Sequence, residues 1–551
     1  MNSPLPFDEP EDDHDDKGKD GKEKSKFYDI FLKSMETAGV MVASIAMLGL
    51  AGISYHEGYN YHAMNKMEKA FTDDDPAFQL TMDSRAKSED DGWVVRHHQD
   101  LFDNVIAGRV TGRYYLIIGE KGTGKTSMIL DAMRKVQGKN CTMMEAHADP
   151  EIFRIRLGKA LNFAFHEDYL GALFSIRGPR DTTALLDIER AFNKLEEVAV
   201  RHVKKTGDPL VLVINNAHLI RDDEEGQHLV ELLQQKAEAL SGSRLVNIIF
   251  NSDDYWLYER LKRLGTRLDV ITINDLNRKQ AVQAMQRARR KYNGEELTTG
   301  QANEIYNLIG GRPQHIAGVT SQPDVIHACH QLIDKEKTWF LNQCGLLGEE
   351  MDDDVMESGK FSTSAMFLMR EMVKIDRNQR LAGKDPEQLA NEDHQVPKIP
   401  LWRARQIMTR PDYIQQYDNL NIFTIDSNSL VKADSVPMMQ AFHEIADVEG
   451  FDELVDETAD RVSAIESLGR TRELVAKDLV LNGRYKIGVE TNPDSRAREF
   501  YVKLDQTEED ENEDHPEDDG FTYLERERDL WWARRQQKYQ AQKQQQKNDT
   551  Q

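Results

Sequence analysis

A glycine-rich segment near residue 120 has the composition of a phosphate-binding loop. It follows the apolar run YYLII and precedes a predicted helix, and its residues are Gly119, Glu120, Lys121, Gly122, Thr123, Gly124, Lys125, Thr126 and Ser127. Glycines let backbone N–H groups converge on a phosphate, and the helix N-terminus adds its positive end. In a G-x-x-x-x-G-K-T spacing, the lysine reaches the β- and γ-phosphates and the threonine binds magnesium. We therefore predict that residues 119–127 bind ATP and Mg²⁺, with Lys125 on the phosphates and Thr126 on the metal.

The elements around this loop alternate between strand and helix. Helical patterns cover Thr182–Val203 and Gln227–Leu240. Apolar runs typical of buried strands lie at Tyr114–Ile118, Thr142–Glu145, Leu210–Ile214, Leu245–Phe250 and Val270–Ile273. Buried strands separated by helices predict an α/β fold, a parallel sheet with helices on both faces. We assign residues 90–275 to this P-loop core.

Beyond the core the chain becomes helical over residues 276–345 and then mixed. Residues 360–446 read as helix, short hairpin and helix, with strands at Asn421–Ile425 and Leu430–Ala433. Ser435 and Pro437 open the last helix by the usual cap pattern, and the whole is typical of a winged helix. Residues 447–551 form a charged tail with the acidic run EEDENEDHPEDD, predicted to be helical and partly disordered.

Overall composition limits the function. The 551 residues carry a net charge of -25, with 39% hydrophobic and 30% charged residues. The length allows about two to four domains. The acidity argues against nucleic acid as a partner, because a phosphate backbone would be repelled. Cys141, Cys329 and Cys344 have no paired spacing, which favours a reducing compartment over a disulfide framework.

The N-terminal region contains two segments of opposite composition. Residues 1–30 are mostly charged, Gly and Pro, and are predicted to be a disordered acidic segment. Residues 37–56, TAGVMVASIAMLGLAGISYH, contain no Asp, Glu, Lys or Arg and match the length of one transmembrane helix. A buried core helix is the alternative, although no domain surrounds the segment. Its Gly/Ala/Met-rich composition, without a secretory signal, favours the mitochondrial inner membrane, and the flanking lysines favour an N-terminus in the cytosol or matrix.

The order of elements and the glycine-rich loop resemble the AAA+ and related STAND-type P-loop ATPases, in particular their Orc1-like branch. Residues 360–446 resemble the winged-helix domain of fungal membrane-linked AAA proteins, so the resemblance covers most of residues 90–446. It implies ATP and Mg²⁺ as ligands, a lid at residues 276–345, protein partners and a possible homo-oligomer. Winged helices of Orc-type ATPases bind DNA. Here Arg403, Arg405 and Arg410 fall on the predicted second helix, but the wing is acidic, which favours docking to a protein.

The resemblance assigns catalytic positions to Asn215 and Asn216. The second acidic motif of these ATPases follows a strand, and here Leu210–Ile214 is followed by two amides. An aspartate at Asn215 would hold the magnesium shell, and a glutamate at Asn216 would polarise the attacking water. An amide has no charge and is not a useful base. We therefore expect ATP binding with weak or absent hydrolysis, unless acids at 222–224 fold back into the site.

Four further residues receive roles from the same resemblance. Asn251 ends the fourth strand, where the family keeps its γ-phosphate sensor. Arg263 and Arg267 precede the fifth strand and are candidates for an arginine finger, with a basic helix face as the alternative reading. Arg312, in the Gly-Gly-x-Pro turn of the lid, could point at the nucleotide.

Two kinds of function fit these residues. One is an active, ring-forming, membrane-anchored ATPase that acts as a chaperone. The other is a membrane-anchored, ATP-binding adaptor or remodelling protein that hydrolyses little. The amides at Asn215 and Asn216 favour the second, and a DNA-binding Orc-like ATPase is a third, weaker reading.

Overall fold

The computed structural model describes residues 20–72, 94, 96–165, 183–346, 348, 356–381, 396–478, 485–491 and 498–504. The first nineteen residues and the tail beyond Leu504, with its acidic run and Trp531-Trp532, lie outside the described residues. Residues up to Glu466 form one compact unit, and residues from Ser467 onwards form a second. In the second unit, strands β9 (Tyr485–Thr491) and β10 (Arg498–Leu504) pair antiparallel.

The first unit is built on a parallel sheet of five strands, β1 (Tyr114–Ile118), β2 (Cys141–Glu145), β3 (Leu210–Asn215), β4 (Val246–Ser252) and β5 (Leu268–Thr272). Their order in the sheet is β2-β3-β4-β1-β5. Every residue of β1, β3 and β4 is buried, as expected for strands covered on both faces. The predicted α/β fold class is confirmed, and the five apolar runs differ from the strands only at their ends.

Helices cover both faces of the sheet. They are α2 (Gln99–Ile106), α3 (Lys125–Lys135), α4 (Pro150–Ala160), α5 (Ala184–Thr206), α6 (Glu224–Gly242) and α7 (Tyr255–Leu264). Side chains of β1 alternate between the faces. Tyr115 and Ile117 pack with residues of α2 and α3, whereas Leu116 and Ile118 pack with residues of α4 to α7. This alternation is the period of two that a strand imposes.

The lid follows as four helices with their own apolar core. They are α8 (Arg278–Asn293), α9 (Thr299–Ile309), α10 (Pro313–Thr320) and α11 (Val325–Cys344). Met285, Ile305 and Cys329 lie in that core. Each helix begins at a recognisable signal. Asn277, Thr298 and Asp324 cap α8, α9 and α11 through their side chains, and Pro313 begins α10.

The winged helix is a three-stranded antiparallel sheet with flanking helices. Its elements are α12 (Met356–Leu381), β6 (Ile399–Pro400), α13 (Leu401–Ile407), α14 (Ile414–Asn419), β7 (Phe423–Ile425), β8 (Leu430–Ala433), α15 (Val436–Ala446) and α16 (Phe451–Asp478). The strand order is β6-β8-β7. Its buried residues, including Phe423 and Phe442, belong to the same apolar core as one face of the ATPase sheet.

An N-terminal helix, α1, runs without a break from Asp20 to Lys69. It begins inside residues 1–30, where disorder was expected. That expectation is wrong from Asp20 onwards, because residues 22–38 contain no proline or glycine and the helix extends back from the apolar stretch. Among the described helices, α1 is long and apolar enough to cross a membrane. Its apolar side chains from Phe31 to Ile53 are exposed, so the chain does not bury this helix in its core.

The C-terminal end of α1 is part of the ATPase core. Met67, in the last turn of α1, and Ala70 and Phe71, directly after the helix, are buried in the main apolar cluster. Glu68 accepts a hydrogen bond from Lys205 at 2.7 Å, and the Phe71 carbonyl accepts one from the backbone of Asn140 at 3.0 Å. The exposed apolar helix is therefore joined to the sheet through a packed contact.

Candidate nucleotide-binding site

The glycine-rich loop links β1 to α3, and its glycines are required by the backbone. Gly122 and Gly124 have φ of 80° and 93°, in the left-handed region that favours glycine. A Cβ on Gly119 would lie 2.3 Å from the carbonyl oxygen of Ile273, just beyond β5. Thr123 closes the turn by donating its hydroxyl to the Glu120 carbonyl at 2.8 Å. The sequence thus forms a tight loop whose residues lead directly into the N-terminus of α3.

Lys125 lies in the first turn of α3 and is 4% exposed. Its ammonium donates to the carbonyl oxygens of Gly119 at 2.7 Å and of Glu120 at 2.8 Å. It also forms an ion pair with Asp253 at 2.7 Å. The predicted phosphate-binding lysine is therefore held inside the loop. Lys121 is exposed and Ser127 is half-buried.

Thr126, Asn215 and Asn251 meet at the carboxyl ends of β3 and β4. The Thr126 hydroxyl donates to Asn215 Oδ1 at 3.1 Å. Asn251 Nδ2 donates to Asn215 Oδ1 at 2.6 Å and contacts Thr126 Oγ1 at 3.1 Å. Asn251 Oδ1 is buried and has no hydrogen-bond partner among the described residues. Hydroxyl and amide oxygens are ligands that suit Mg²⁺, so the cluster fits a magnesium nucleotide, but it contains no carboxylate.

Asn216 follows β3 in a left-handed conformation, with φ of 52° and ψ of 43°. Asparagine tolerates this conformation better than most residues with a side chain. Two of the three acids at 222–224, which the sequence offers to replace the missing charge, have other partners. Asp223 caps α6 by accepting from the Gly226 amide at 2.8 Å, and Asp222 accepts from Gln227 at 3.0 Å.

Two acids that the sequence analysis did not single out lie beside the loop lysine. Asp253 pairs with Lys125, and its backbone N–H donates to His218 Nδ1 at 3.2 Å. Burial and the charge of Asp253 raise the pKa of Asp254 to about 7. Burial lowers the pKa of His218. The run Ser-Asp-Asp directly after Asn251 was the available signal, since residues after a strand of a parallel sheet gather at its carboxyl edge.

Glu120, inside the loop, pairs with the winged helix. Its carboxylate forms an ion pair with Lys432 of β8, and both side chains are buried. Burial acts to raise the pKa of Glu120, but Lys432 and Arg312 outweigh it and lower that pKa. The phosphate-binding loop and the winged helix therefore share a buried ion pair.

Arg312 precedes α10 in the lid and is 2% exposed. Its guanidinium donates to the carboxylate and carbonyl of Asp434, and its Nε donates to Asp275 at 3.3 Å. These contacts join the lid to the winged helix and to the segment between β5 and α8, whereas the sequence suggested that Arg312 points at the nucleotide. Gln314 takes the contact with the loop, donating its backbone N–H to the Gly122 carbonyl at 3.3 Å.

The turn of the wing also contacts the edge of the ATPase sheet. Ser427 lies 2.6 Å from Thr272 at the end of β5, and Ser429 lies 2.9 Å from the Tyr255 hydroxyl, measured between the hydroxyl oxygens. The Asp418 carboxylate accepts from the Tyr255 backbone at 2.8 Å. The glycine-rich loop, the lid and the wing therefore meet at the carboxyl ends of the sheet strands.

The two arginine-finger candidates lie near the amino ends of the strands, away from the glycine-rich loop at the carboxyl ends. Arg263 is exposed on the last turn of α7. Arg267 lies 3.5 Å from Glu238, just before β5, where Leu268 is in register with Tyr114 at the start of β1. Because the glycine-rich loop follows the end of β1, neither arginine can reach it within one chain. A role on a nucleotide would require a neighbouring chain.

A parallel sheet with a glycine-rich loop between β1 and α3, and a lysine and threonine opening α3, defines a P-loop nucleotide-binding protein. Comparison with known families agrees: the AAA ATPase domain family matches residues 93–248, and the family described as fungal AAA protein, C-terminal winged helix domain matches residues 342–466. The chain contains an AAA ATPase domain followed by the C-terminal winged-helix domain of fungal AAA proteins. No curated protein sequence matches it.

Solved structures with a related fold include a Walker-type ATPase of Pyrococcus abyssi, with 12% identity, a TM-score of 0.40, and coverage of 63% of this chain and 95% of the other. The Orc1 protein of Aeropyrum pernix in complex with DNA has 12% identity, a TM-score of 0.29, and coverage of 64% and 94%. The replication initiator DnaA bound to AMPPCP and single-stranded DNA has 13% identity, a TM-score of 0.28, and coverage of 68% and 96%. At these values the likeness concerns the fold alone. The second and third of these structures were solved with DNA.

Proposed function

We propose that this protein is a membrane-anchored AAA+-like protein that binds ATP with Mg²⁺, hydrolyses it weakly or not at all, and presents its winged helix to protein partners according to nucleotide state. The observation that carries this proposal is the buried ion pair between Glu120 of the phosphate-binding loop and Lys432 of the winged helix.

Nucleotide binding is supported by the loop itself. Lys125 and Thr126 open α3, and the backbone of Gly122 and Gly124 is already in the conformation that a phosphate cradle requires. Asn251 Oδ1 faces no described partner and is available to a ligand or its water. Lys125 would hold the phosphates, and Thr126 would hold the metal, which supplies positive charge to the phosphates when bound.

Weak hydrolysis is supported by the neutral cluster at the ends of β3 and β4. Asn215 and Asn251 hydrogen-bond to Thr126 in the place where a carboxylate would hold the metal shell. Asn216 offers no base for the attacking water. ATP would then act as a stabilising ligand of one domain arrangement.

Coupling to the winged helix is supported by the contacts on both sides of the loop. Glu120 pairs with Lys432, and Arg312 pairs with Asp434, so two residues of the segment 432–434 are tied to the loop and the lid. A phosphate that moves the loop would shift the position of Glu120. The winged helix would then be held or released together with it.

Membrane anchoring is supported by the exposed apolar surface of α1. We place the protein in the mitochondrial inner membrane, following the composition of residues 37–56. Cell fractionation, with carbonate extraction of the membranes, tests both points. Recovery in the soluble fraction would refute the anchor, and recovery in another membrane would refute the location.

The decisive experiment measures ATP binding and turnover with the full chain in lipid nanodiscs. The wild type is compared with Lys125→Ala and Asn215→Asp, and with Lys139→Ala as an exposed lysine control. We expect Mg·ATP binding by the wild type and Lys139→Ala, none by Lys125→Ala, and turnover only in Asn215→Asp. Wild-type turnover as fast as that of Asn215→Asp, and abolished by Lys125→Ala, would establish the active ATPase instead. An absence of binding by the wild type would refute the proposal.

DNA binding is the second candidate, favoured by exposed residues on α13. Trp402 is 63% exposed. Of the three arginines predicted there, Arg403 lies 3.7 Å from Glu371, and Arg410, which follows the helix, pairs with Asp412. Arg405 is exposed, without an acidic partner in the described part of the chain. Anisotropy of labelled duplex DNA at low salt tests this reading: binding that Arg405→Ala weakens would support it, and no binding would remove it.

A further inference from the structure

Asp253 is the acid closest to the phosphate-binding lysine, and neither family pattern nor spacing assigned it a role. Its Oδ1 lies 2.7 Å from Lys125 Nζ. The side chains are 4% and 19% exposed, so water screens this pair only partly. An ammonium group has three hydrogens to donate and accepts none. In Lys125, the carbonyls of Gly119 and Glu120 take two, and Asp253 takes the third.

We infer that Asp253 is the residue that sets nucleotide affinity in this site: its carboxylate is an internal counter-ion of Lys125 that nucleotide phosphates must displace. The inference rests on the proposed ATP binding and deepens it. The ligand class is a nucleoside di- or triphosphate, because such a ligand brings the anionic oxygens that Lys125 binds in this loop.

The geometry identifies Asp253 as the group that yields. The two carbonyl acceptors belong to the loop backbone, which Gly119 packs against the Ile273 carbonyl. Moving them would require the loop to leave β5. Asp253 instead follows the last residue of β4 and contacts Lys125 only through a side chain. Rotation of that side chain frees the third hydrogen of the lysine without breaking the contact between Gly119 and Ile273.

His218 provides a second partner for the displaced carboxylate. Its Nδ1 accepts from the Asp253 backbone at 3.2 Å, so in the neutral ring the hydrogen lies on Nε2. Nε2 is 3.8 Å from Asp253 Oδ2. Burial keeps this ring neutral by lowering its pKa. A small rotation of the carboxylate therefore exchanges the ammonium of Lys125 for the imidazole N–H of His218.

Displacement of an internal ion lowers affinity. The free energy of breaking the Lys125–Asp253 pair is subtracted from that of binding, and the displaced carboxylate remains close to the phosphates. Removing its charge while keeping its shape should therefore tighten binding. We expect Asp253→Asn to bind Mg·ATP and Mg·ADP about tenfold more tightly than the wild type, which corresponds to about 1.4 kcal/mol.

The test is calorimetric titration of Mg·ATP and Mg·ADP into the full chain in nanodiscs, together with thermal unfolding. The variants are Asp253→Asn, Asp253→Glu, which keeps the charge, and Asp269→Asn. Asp269 is the control because it also pairs with a basic residue, Arg113 at 3.1 Å, but lies near the amino end of β5, away from the loop. We expect Asp253→Asn to lower the Tm without nucleotide yet to gain affinity, while Asp253→Glu and Asp269→Asn bind as the wild type does.

The outcomes separate this inference from the proposed function. If the wild type does not bind nucleotide, the proposed function fails. If it binds, and Asp253→Asn binds equally or more weakly, the inference alone is refuted, because Asp253 then supports the ligand or its metal. A loss of affinity that accompanies a loss of folded protein is recognised by the thermal unfolding curve, and Asp253→Glu then decides: affinity below the wild type refutes the counter-ion role.

Discussion

Gly119 determines how closely the phosphate-binding loop approaches β5. A Cβ at this position would lie 2.3 Å from the Ile273 carbonyl oxygen, closer than atoms can approach. We expect Gly119→Ala to push the loop away from β5 and to weaken Mg·ATP binding by about tenfold or more, since a cradle displaced by about 1 Å loses its alignment. Gly300→Ala is the control, because a Cβ there meets nothing within 4 Å. Equal binding by both variants would show that the loop adapts without cost.

Asp254 makes stability depend on pH. Burial, with the charge of Asp253, raises its pKa to about 7 in the folded protein, from an ordinary value of 3.8. Between those values the unfolded chain has lost the proton and the folded chain still holds it. This group therefore lowers stability as the pH rises through that window. We expect Asp254→Asn to raise the Tm relative to the wild type by more at pH 8 than at pH 5. Thermal unfolding at the two values tests this, and a difference that does not change with pH would contradict it.

At the scale of elements, β8 of the winged helix is held against the loop after β1. Lys432 and Glu120 are both buried, and removing one partner leaves the other charge uncompensated. We expect Lys432→Ala to lower the free energy of unfolding by about 3 kcal/mol, and Lys432→Met combined with Glu120→Gln to recover most of that loss. Denaturant unfolding of the single and double variants measures the coupling. Additive losses would mean that the two residues act independently.

The same double variant tests the transmission from loop to wing. Without the ion pair, ATP should no longer change the protection of β8 and α15 from hydrogen exchange, although the loop still binds. In the wild type we expect ATP to change that protection. Lys398→Met is the control, because Lys398 pairs with Asp426 of the wing turn at 3.3 Å and does not contact the loop. An unchanged response to ATP in the double variant would exclude this route.

Sequence patterns were enough for the elements but not for their long-range partners. The strand runs, the glycine-rich loop and the cap at Ser435 depend on local spacing, and the structure contains all three. Asn215 and Asn251 lie at the carboxyl ends of β3 and β4. They meet because these two strands are neighbours in a parallel sheet. Glu120 and Lys432 lie on separate domains, and only the packing of the winged helix on the ATPase domain brings them together. The two acidic partners of Arg312 could not be predicted for the same reason, since Asp275 and Asp434 both lie outside the helix that it precedes.

At the scale of the whole molecule, the end of α1 stabilises the ATPase domain. Phe71 is 3% exposed within the main apolar cluster, and its carbonyl accepts from Asn140 just before β2. We expect Phe71→Ala to lower the free energy of unfolding by about 3 kcal/mol, as for other buried phenylalanines. Val42→Ala, at a site that is 68% exposed, should leave it unchanged in nanodiscs. Equal stability of the wild type and Phe71→Ala in denaturant unfolding would show that α1 is an independent anchor.

The unbroken course of α1 also has a mechanical consequence. A helix of 50 residues is about 75 Å long, and a continuous ladder of backbone hydrogen bonds joins its two ends. One end is fixed to α5 by Arg201, which donates to Asn65 at 2.8 Å, and by Lys205. A rotation that a change in the ATPase domain imposes on this end is therefore passed along the hydrogen-bonded helix to its apolar half. If that half lies in a bilayer, ligand binding in the ATPase domain could rotate membrane helices that pack against α1, although the nucleotide itself stays far from the membrane.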